Sequence, residues 1–453
     1  MKITFLGAVG TVTGSKYLLE GAGKKILLDC GLFQGFKQLR LRNWAPLPVK
    51  PSTIDAVVLT HAHLDHSGYL PLLVKNGFKG PIYATDATRD LGEVLLLDSG
   101  YLQEHEAEFA NRHGFSKHKP AKPLYTKRDA EKAVKQFRVV EYGEMHALGG
   151  GLTFRMQHAG HILGSAIVHF TQGGGSIVFT GDLGRGGSPI MYDPETVRKA
   201  DYLVVESTYG DRLHDPADPE DVLAEIISTT AGRGGSVIIP SFAVGRSQTI
   251  LYHIHRLKKA GRIPDLPVFL DSPMAINASE IFCKRFDDHR LTAEQCRAAC
   301  NVATYVRMAE DSKALDANHV PMVLISASGM ATGGRILHHL KRFAPDPKNT
   351  ILFAGFQAGG TRGAAMTGGA DRVKIHGDYV QIRAQVENLH MLSAHADQNE
   401  IMAWLGHFDA PPKLTFITHG EPPASDALRH RIEEELHWTC VVPEFRDMFE
   451  LAL

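Results

Sequence analysis

The sequence contains no run of eighteen apolar residues, which excludes a helix that spans a bilayer. Met1 leads directly into KITFLGA, without the apolar core and small-residue cleavage site of a signal peptide, so the expected compartment is the cytoplasm. No Gly-Lys-Ser/Thr is present, so there is no Walker loop and ATP is not implied. Net charge is also lacking: 49 Lys and Arg face 50 Asp and Glu, a formal charge of −1. Any polyanion must then be held by a local basic surface rather than by the field of the whole molecule. The five cysteines, Cys30, Cys283, Cys296, Cys300 and Cys440, are odd in number and scattered. Cys296 and Cys300 lie one helical turn apart, but no second pair completes a zinc ribbon, and all five read as reduced packing residues. At 453 residues, 43 % apolar and 22 % charged, the chain has the composition of a globular protein and the length for two sizeable cores.

What is abundant is histidine in one place. A buried-strand run, Ala56 to Leu59, ends at Thr60 and delivers His61, His63, Asp65 and His66 into the following loop. Neutral imidazoles with a carboxylate suit zinc and similar first-row ions. On a strand-to-helix turn, the His-x-His-x-Asp-His spacing points alternate residues different ways, so one pair can close on one ion and the next pair on a second. Leu64 between the ligands and Ser67-Gly68 after them fit a packed turn.

The same ending recurs along the chain. ILLD ends on Asp29, SIVFTGDLG places Asp182 just past a strand, and YLVVESTYG does so for Glu206. LTFRMQHAGHILGSA carries His158 and His161, and KLTFITHGE carries His419. In sheets covered by helices, such strand ends converge on one crevice. Between them, Thr85 is a plausible N-cap for a helix of about twenty-five residues running to near His113, and Arg128 to Phe137 reads as another. SKHKPAKPLYTK, from Ser116 to Lys127, is either a solvated loop or a basic binding patch.

After Tyr209 a polar, Pro-rich junction leads into repeated strand, small-residue loop and helix units. This alternation predicts a separate α/β domain with a parallel sheet from about 210 to 375. Its Gly/Ser-rich turns, SASGMATGGR ending in Arg335 and AGGTRG carrying Arg362, offer backbone N–H groups to a phosphate or serve only as tight packing. From about Arg372 the first pattern resumes, ending in a His-Ala-Asp turn at His395, the strand LTFIT and a terminal helix. The expected boundaries are 1–208 and 376–453 for one domain and 209–375 for an insertion.

With these residues the chain resembles the metallo-β-lactamase superfamily and, within it, the β-CASP nucleic-acid-processing nucleases. HAHLDHSG at 61 to 68 is similar to the superfamily's metal motif. Asp29, His161 and Asp182 stand at its other shared positions. Glu206 in ESTYG, His395 in SAHAD and His419 in THGE are similar to the additional β-CASP motifs. The resemblance implies an α/β fold, an αββα sandwich with an inserted α/β cap, and an active site in the cleft between them. It implies two zinc ions, with manganese an alternative. One would be held by His61, His63 and His161, the other by Asp65, His66 and His419, with Asp182 bridging and Asp29 orienting ligands. His158 is then a packing or supporting residue.

The implied activity is hydrolysis of phosphodiester bonds in single-stranded RNA, endonucleolytic or 5′-to-3′ exonucleolytic. Water activated by two metals attacks in line, and His395, paired with Glu206, serves as acid for the leaving 3′-oxygen. The histidine at 419, where DNA-directed members usually carry an apolar residue, tilts the substrate towards RNA. Ser241, Arg246, Ser328, Arg335 and Arg362 are candidate phosphate contacts, the arginines alternatively forming ion pairs. No RNA-binding extension precedes Lys2, so the enzyme is expected to work alone or as a homodimer, with no membrane partner. The rival readings are a DNA nuclease of the same group, a small-molecule hydrolase that leaves Glu206 and His395 without a task, and a non-catalytic RNA-binding scaffold.

Overall fold

The computed structural model of the chain describes residues 1–114 and 116–453 and separates them into two compact units. One comprises Met1–Leu213 and His395–Leu453, the other His214–Ala394.

The first unit is built on two seven-stranded sheets. In one, Lys2–Phe5, Tyr17–Gly21 and Lys24–Leu28 pair antiparallel, and the sheet continues in parallel through Ala56–Val58, Ile82–Ala84 and Phe137–Val139. In the other, the hairpin-linked strands Leu152–His158, Ala166–Gln172 and Gly175–Phe179 are extended in parallel by Tyr202–Glu206 and Leu414–Thr418. Burial on both faces accounts for the nearly unbroken apolar strands. Ala56 and Val58 face a core shared with Phe154, Phe170, Phe179 and Phe416 of the other sheet, while Val57 and Leu59 face a helical layer. In the second sheet Ile177 and Phe179 point inward, and Val178 packs on Ile401, Leu405 and Leu428 from helices. The result is the αββα sandwich expected from sequence. Each fully buried phenylalanine between the sheets contributes roughly 1.5–3 kcal/mol.

Helix Asp86–His113 begins where expected, with Thr85 Oγ1 accepting the Thr88 N–H at 3.2 Å, and ends at Gly114 in the left-handed region at φ 68°. The Thr85 hydroxyl also donates to the Gly164 carbonyl at 2.7 Å, which ties the helix start to the loop carrying His161. Among the described residues, no helix is long and apolar enough to cross a membrane.

The inserted unit holds a six-stranded, all-parallel sheet in the order Thr304–Tyr305, Val268–Leu270, Val323–Ser326, Val237–Pro240, Thr350–Phe353, Gln385–Asn388. Val237 and Ile239 pack against one helical layer and Ile238 against the other, so the sheet is doubly covered. This unit runs past the expected 375 because Gln385–Asn388 adds to its sheet edge. Apolar periodicity marks that stretch as a strand, but says nothing of which sheet it joins.

The cysteines depart from expectation here. Cys30 and Cys440 are buried free thiols, but Cys283 and Cys296 are joined as a disulfide, with Cys300 beside them. The segment between helices Pro273–Phe282 and Ala293–Cys300 folds back and brings Cys283 to within 5.7 Å, Cα to Cα, of Cys296.

Candidate metal centre

The strand ends of the first unit converge as the sequence suggests. His61, His63, His161 and Asp182 place one donor atom each within 4.8 Å of one another, and so do Asp65, His66 and His419. Asp182 stands between the groups. Its Oδ2 is 3.5 Å from His61 Nε2 and from His161 Nε2, and its Oδ1 is 3.2 Å from His66 Nε2 and 3.6 Å from His419 Nδ1.

Two strand-end residues carry left-handed backbones that β-carbons disfavour, Asp29 at φ 55° and His419 at φ 50°. Such conformations cost on the order of 1–3 kcal/mol and concentrate at functional sites. At Asp29 the turn aims the carboxylate at the metal-motif loop. Oδ1 accepts the Thr60 N–H at 2.8 Å, and Oδ2 accepts from His66 Nδ1 at 2.7 Å.

Buried hydroxyls set which ring nitrogen each histidine presents. Thr60 Oγ1 donates its only hydrogen to Asp29 at 2.9 Å, so His61 Nδ1, 3.1 Å from the same oxygen, must donate to it. Thr208 Oγ1 donates to the His419 carbonyl at 3.1 Å and in the same way accepts from His419 Nδ1 at 3.0 Å. With Nδ1 engaged in His61, His66 and His419, Nε2 is the nitrogen each turns to the centre. Thr60 and Thr208 were not singled out from sequence. Their only signal is position, next to a candidate ligand at a strand end.

These donors fit a divalent metal. His61 Nε2 lies 3.2 Å and His161 Nε2 3.3 Å from His63 Nδ1. Zinc–nitrogen bonds of about 2.0–2.1 Å place tetrahedral donors about 3.3 Å apart. Burial holds His61, His63 and His161 below the ordinary histidine pKa, in the neutral form that ligates, and the neighbouring histidines push in the same direction. Burial also opposes charge on His66, but the Asp182 and Asp29 carboxylates outweigh it and hold its proton, whose place a cation would take. Burial would raise Asp182, yet the surrounding His419, His66 and His61 keep it well below the usual carboxylate range.

Beside the cage is a separate acid–base pair. His395 Nδ1 is 3.1 Å from both Glu206 oxygens. Glu206 is fixed by the Leu183 N–H at 2.6 Å and the Thr208 N–H at 3.3 Å. A lone antiparallel bridge from Gly184 to His395, with the Ala396 N–H donating to Leu183, holds the His-Ala-Asp turn against the loop that bears Asp182. Burial works against the imidazolium, but Glu206 and Asp182 prevail and raise the His395 pKa. His158 lies outside the cage, stacked on Tyr142 with centroids 3.7 Å apart.

The five candidate phosphate contacts all belong to the inserted unit. Ser241 is buried, its hydroxyl 3.1 Å from Ser247 Oγ, and Arg246 donates to the Ala354 carbonyl. Ser328 and Thr332 hydroxyls are 3.0 Å apart, and Arg362 binds the Ala331 and Thr332 carbonyls of the same loop. Arg335 pairs with the buried Asp271 at 2.5 Å and also donates to the Val306 carbonyl. A phosphate would compete with these partners for each arginine.

Comparison with known proteins finds three family matches along the chain. Residues 9–226 match the metallo-beta-lactamase superfamily, 247–366 the Beta-Casp domain, and 379–443 the Zn-dependent metallo-hydrolase RNA specificity domain. The chain is 38 % identical to Ribonuclease TTHA0252 of Thermus thermophilus, over 93 % of each chain. It is 32 % identical to Transcription termination factor FttA of Methanosarcina mazei, over 96 % of this chain and 69 % of that one. The crystal structure of a protein of unknown function from Enterococcus faecalis shares the fold, with a TM-score of 0.53 at 13 % identity over 99 % of both chains. A two-triad cage at the strand ends of an αββα sandwich, interrupted by a parallel α/β unit and matched along its length by these families, places the chain in the β-CASP branch of the metallo-β-lactamase superfamily.

Proposed function

We propose that this protein is a zinc-dependent ribonuclease that hydrolyses phosphodiester bonds of single-stranded RNA. The observation that carries the reading is the His395–Glu206 pair standing beside a metal cage already divided by Asp182. A cage alone suits any metallo-hydrolase, whereas a half-buried, carboxylate-paired histidine beside it supplies the proton that an alkoxide leaving group needs. The RNA-specificity domain match over 379–443 and the ribonuclease name of the Thermus thermophilus relative support RNA over DNA.

His61, His63 and His161 would hold one zinc ion and Asp65, His66 and His419 a second, with Asp182 standing between the two groups. Metal bound there would supply Lewis-acid polarisation of the scissile phosphate and activation of the attacking water. The protein's own groups do the rest. Asp29, Thr60 and Thr208 keep Nε2 of His61, His66 and His419 aimed inward, so these rings do not reorganise during the reaction. His395 donates from Nε2 to the leaving 3′-oxygen, and Glu206, holding Nδ1, fixes the ring and stabilises the charge left by reprotonation. The products carry a 5′-phosphate and a 3′-hydroxyl. In the inserted unit we assign phosphate contact to Ser328 and Arg362. Ser241, Arg246 and Arg335 shape the loops around them.

The test is zinc-loaded protein against 5′-labelled and 3′-labelled single-stranded RNA and matched DNA, with His395→Ala as control. RNA cut by the parent and spared by the variant is expected, and the two labels separate internal cutting from end trimming. Equal cutting by the variant, or intact RNA with zinc bound, would overturn the reading.

A further inference from the structure

Three of the five cysteines meet in the inserted unit, and none of them is among the residues assigned a part in RNA hydrolysis. Cys283 follows helix Pro273–Phe282, and Cys296 and Cys300 lie one turn apart on helix Ala293–Cys300. The turn between them is pinned by His289, whose ring stacks on Phe282 with centroids 4.0 Å apart and whose Nε2 donates to the Phe282 carbonyl at 2.9 Å. Cys283 is bonded to Cys296, and the Cys300 sulfur is 2.9 Å from the Cys283 sulfur. Reacting atoms poised at about 3–3.5 Å are near-attack neighbours. Cys283 therefore has two partners within reach and can bond to only one.

We propose that Cys283, Cys296 and Cys300 form a thiol–disulfide exchange site in which Cys283 alternates between Cys296 and Cys300, with low-molecular-weight disulfides such as glutathione disulfide as co-reactant. From three thiols, one equivalent of glutathione disulfide accepts two electrons and two protons, leaving one protein disulfide and two glutathione molecules. The internal step is redox-neutral. The Cys300 thiolate attacks Cys283 Sγ, the Cys283–Cys300 bond forms as the Cys283–Cys296 bond breaks, and Cys296 leaves as thiolate and takes up the proton that Cys300 lost.

Burial orders the events. Cys296 is almost fully enclosed, while Cys283 and Cys300 are partly exposed. An external disulfide thus meets Cys283 or Cys300 first, and the mixed disulfide is resolved from within. Where a compartment keeps most thiols reduced, a pair with an adjacent third thiol has the character of a transient or sensing disulfide more than a permanent staple.

The test is a disulfide map of the full-length protein after glutathione disulfide treatment, with free thiols alkylated before digestion and each variant checked for folding by circular dichroism. The wild type is expected to give both Cys283–Cys296 and Cys283–Cys300 linked peptides. Cys300→Ser should give only the first and Cys296→Ser only the second. Cys283→Ser should give neither. If Cys296→Ser does not fold, the wild-type map and Cys300→Ser decide. A wild-type map with Cys283–Cys296 alone and an unreactive Cys300 would overturn the proposal as a plain structural disulfide. So would a zinc equivalent lost in every serine variant, with all three thiols protected in the wild type, since that would mark a thiolate metal site.

Discussion

Thr60 gives its hydroxyl hydrogen to Asp29, and that choice propagates: His61 must donate through Nδ1, His66 is anchored by the same carboxylate, and both present Nε2 to the centre. Asp29→Asn removes the charge that holds His66. A loss of about 10- to 100-fold in zinc affinity is expected, measured by competition with a chromophoric chelator. An unchanged affinity would mean that the ring is oriented by something else. Glu206 acts on turnover instead. Glu206→Gln is expected to lower kcat by about 100-fold or more, with KM and bound zinc unchanged, in steady-state cleavage of a short RNA. These assignments differ in how visible they were in the sequence. His61, His63, Asp65 and His66 are dense enough to announce a metal, and Glu206, His395 and His419 stand in recognisable motifs. The threonines carry no signal, because a hydroxyl at a strand end is commonplace until its hydrogen-bond partners are known.

At the scale of elements, the inserted unit is braced by a buried network around Asp271. Its carboxylate accepts from Ser312, Arg335 and His339, and His339 also donates through Nδ1 to Asp316 at 2.7 Å. A ring donating from both nitrogens is an imidazolium. Burial lowers its pKa, but the hydrogen bonds to Asp271 and Asp316 outweigh burial and raise it. A raised folded pKa means that this stabilisation is fully present below the unfolded value of about 6.5 and is lost as pH rises through the folded pKa. Denaturant melts are therefore expected to show the parent losing stability relative to His339→Gln as pH rises above about 6.5, and parallel profiles would contradict this. Asp271→Ala leaves Arg335 and His339 without their shared carboxylate, and a loss of about 3–5 kcal/mol is expected in the same experiment. Helix starts were legible because caps are local. Thr85 holds the Thr88 N–H as its position implied, whereas the terminal helix, one stretch by pattern, is α-helical over Pro422–Arg431 and continues as a π-turn through Ile432–Leu436. The Cys283–Cys296 bond was not legible, because it depends on how 284–292 folds back and no spacing rule encodes that turn.

For the whole molecule, the near-zero net charge is a constraint on how RNA is held. If local groups such as Arg362 and the Gly/Ser-rich loops grip phosphates, RNA affinity falls steeply with salt despite the formal charge of −1. Fluorescence anisotropy from about 50 to 200 mM salt is expected to show a linear log–log decline, and a flat response would remove the phosphate track. The insertion was readable from alternation and resumption of pattern and the αββα sandwich from the family resemblance, but the end of the insertion was not. Gln385–Asn388 is a strand by composition in either unit, and only its pairing with Thr350–Phe353 assigns it.

A metal held by His61, His63, His161, Asp65, His66, His419 and Asp182 is proposed to act in RNA cleavage. One measurement tests it most directly: cleavage of labelled single-stranded RNA by the same preparation before chelation, after chelator is dialysed in and out, and after zinc is added back, with bound metal quantified at each stage. Activity that vanishes with the metal and returns as about two zinc ions per chain rebind is the predicted result. Undiminished cleavage by the metal-free protein would contradict it.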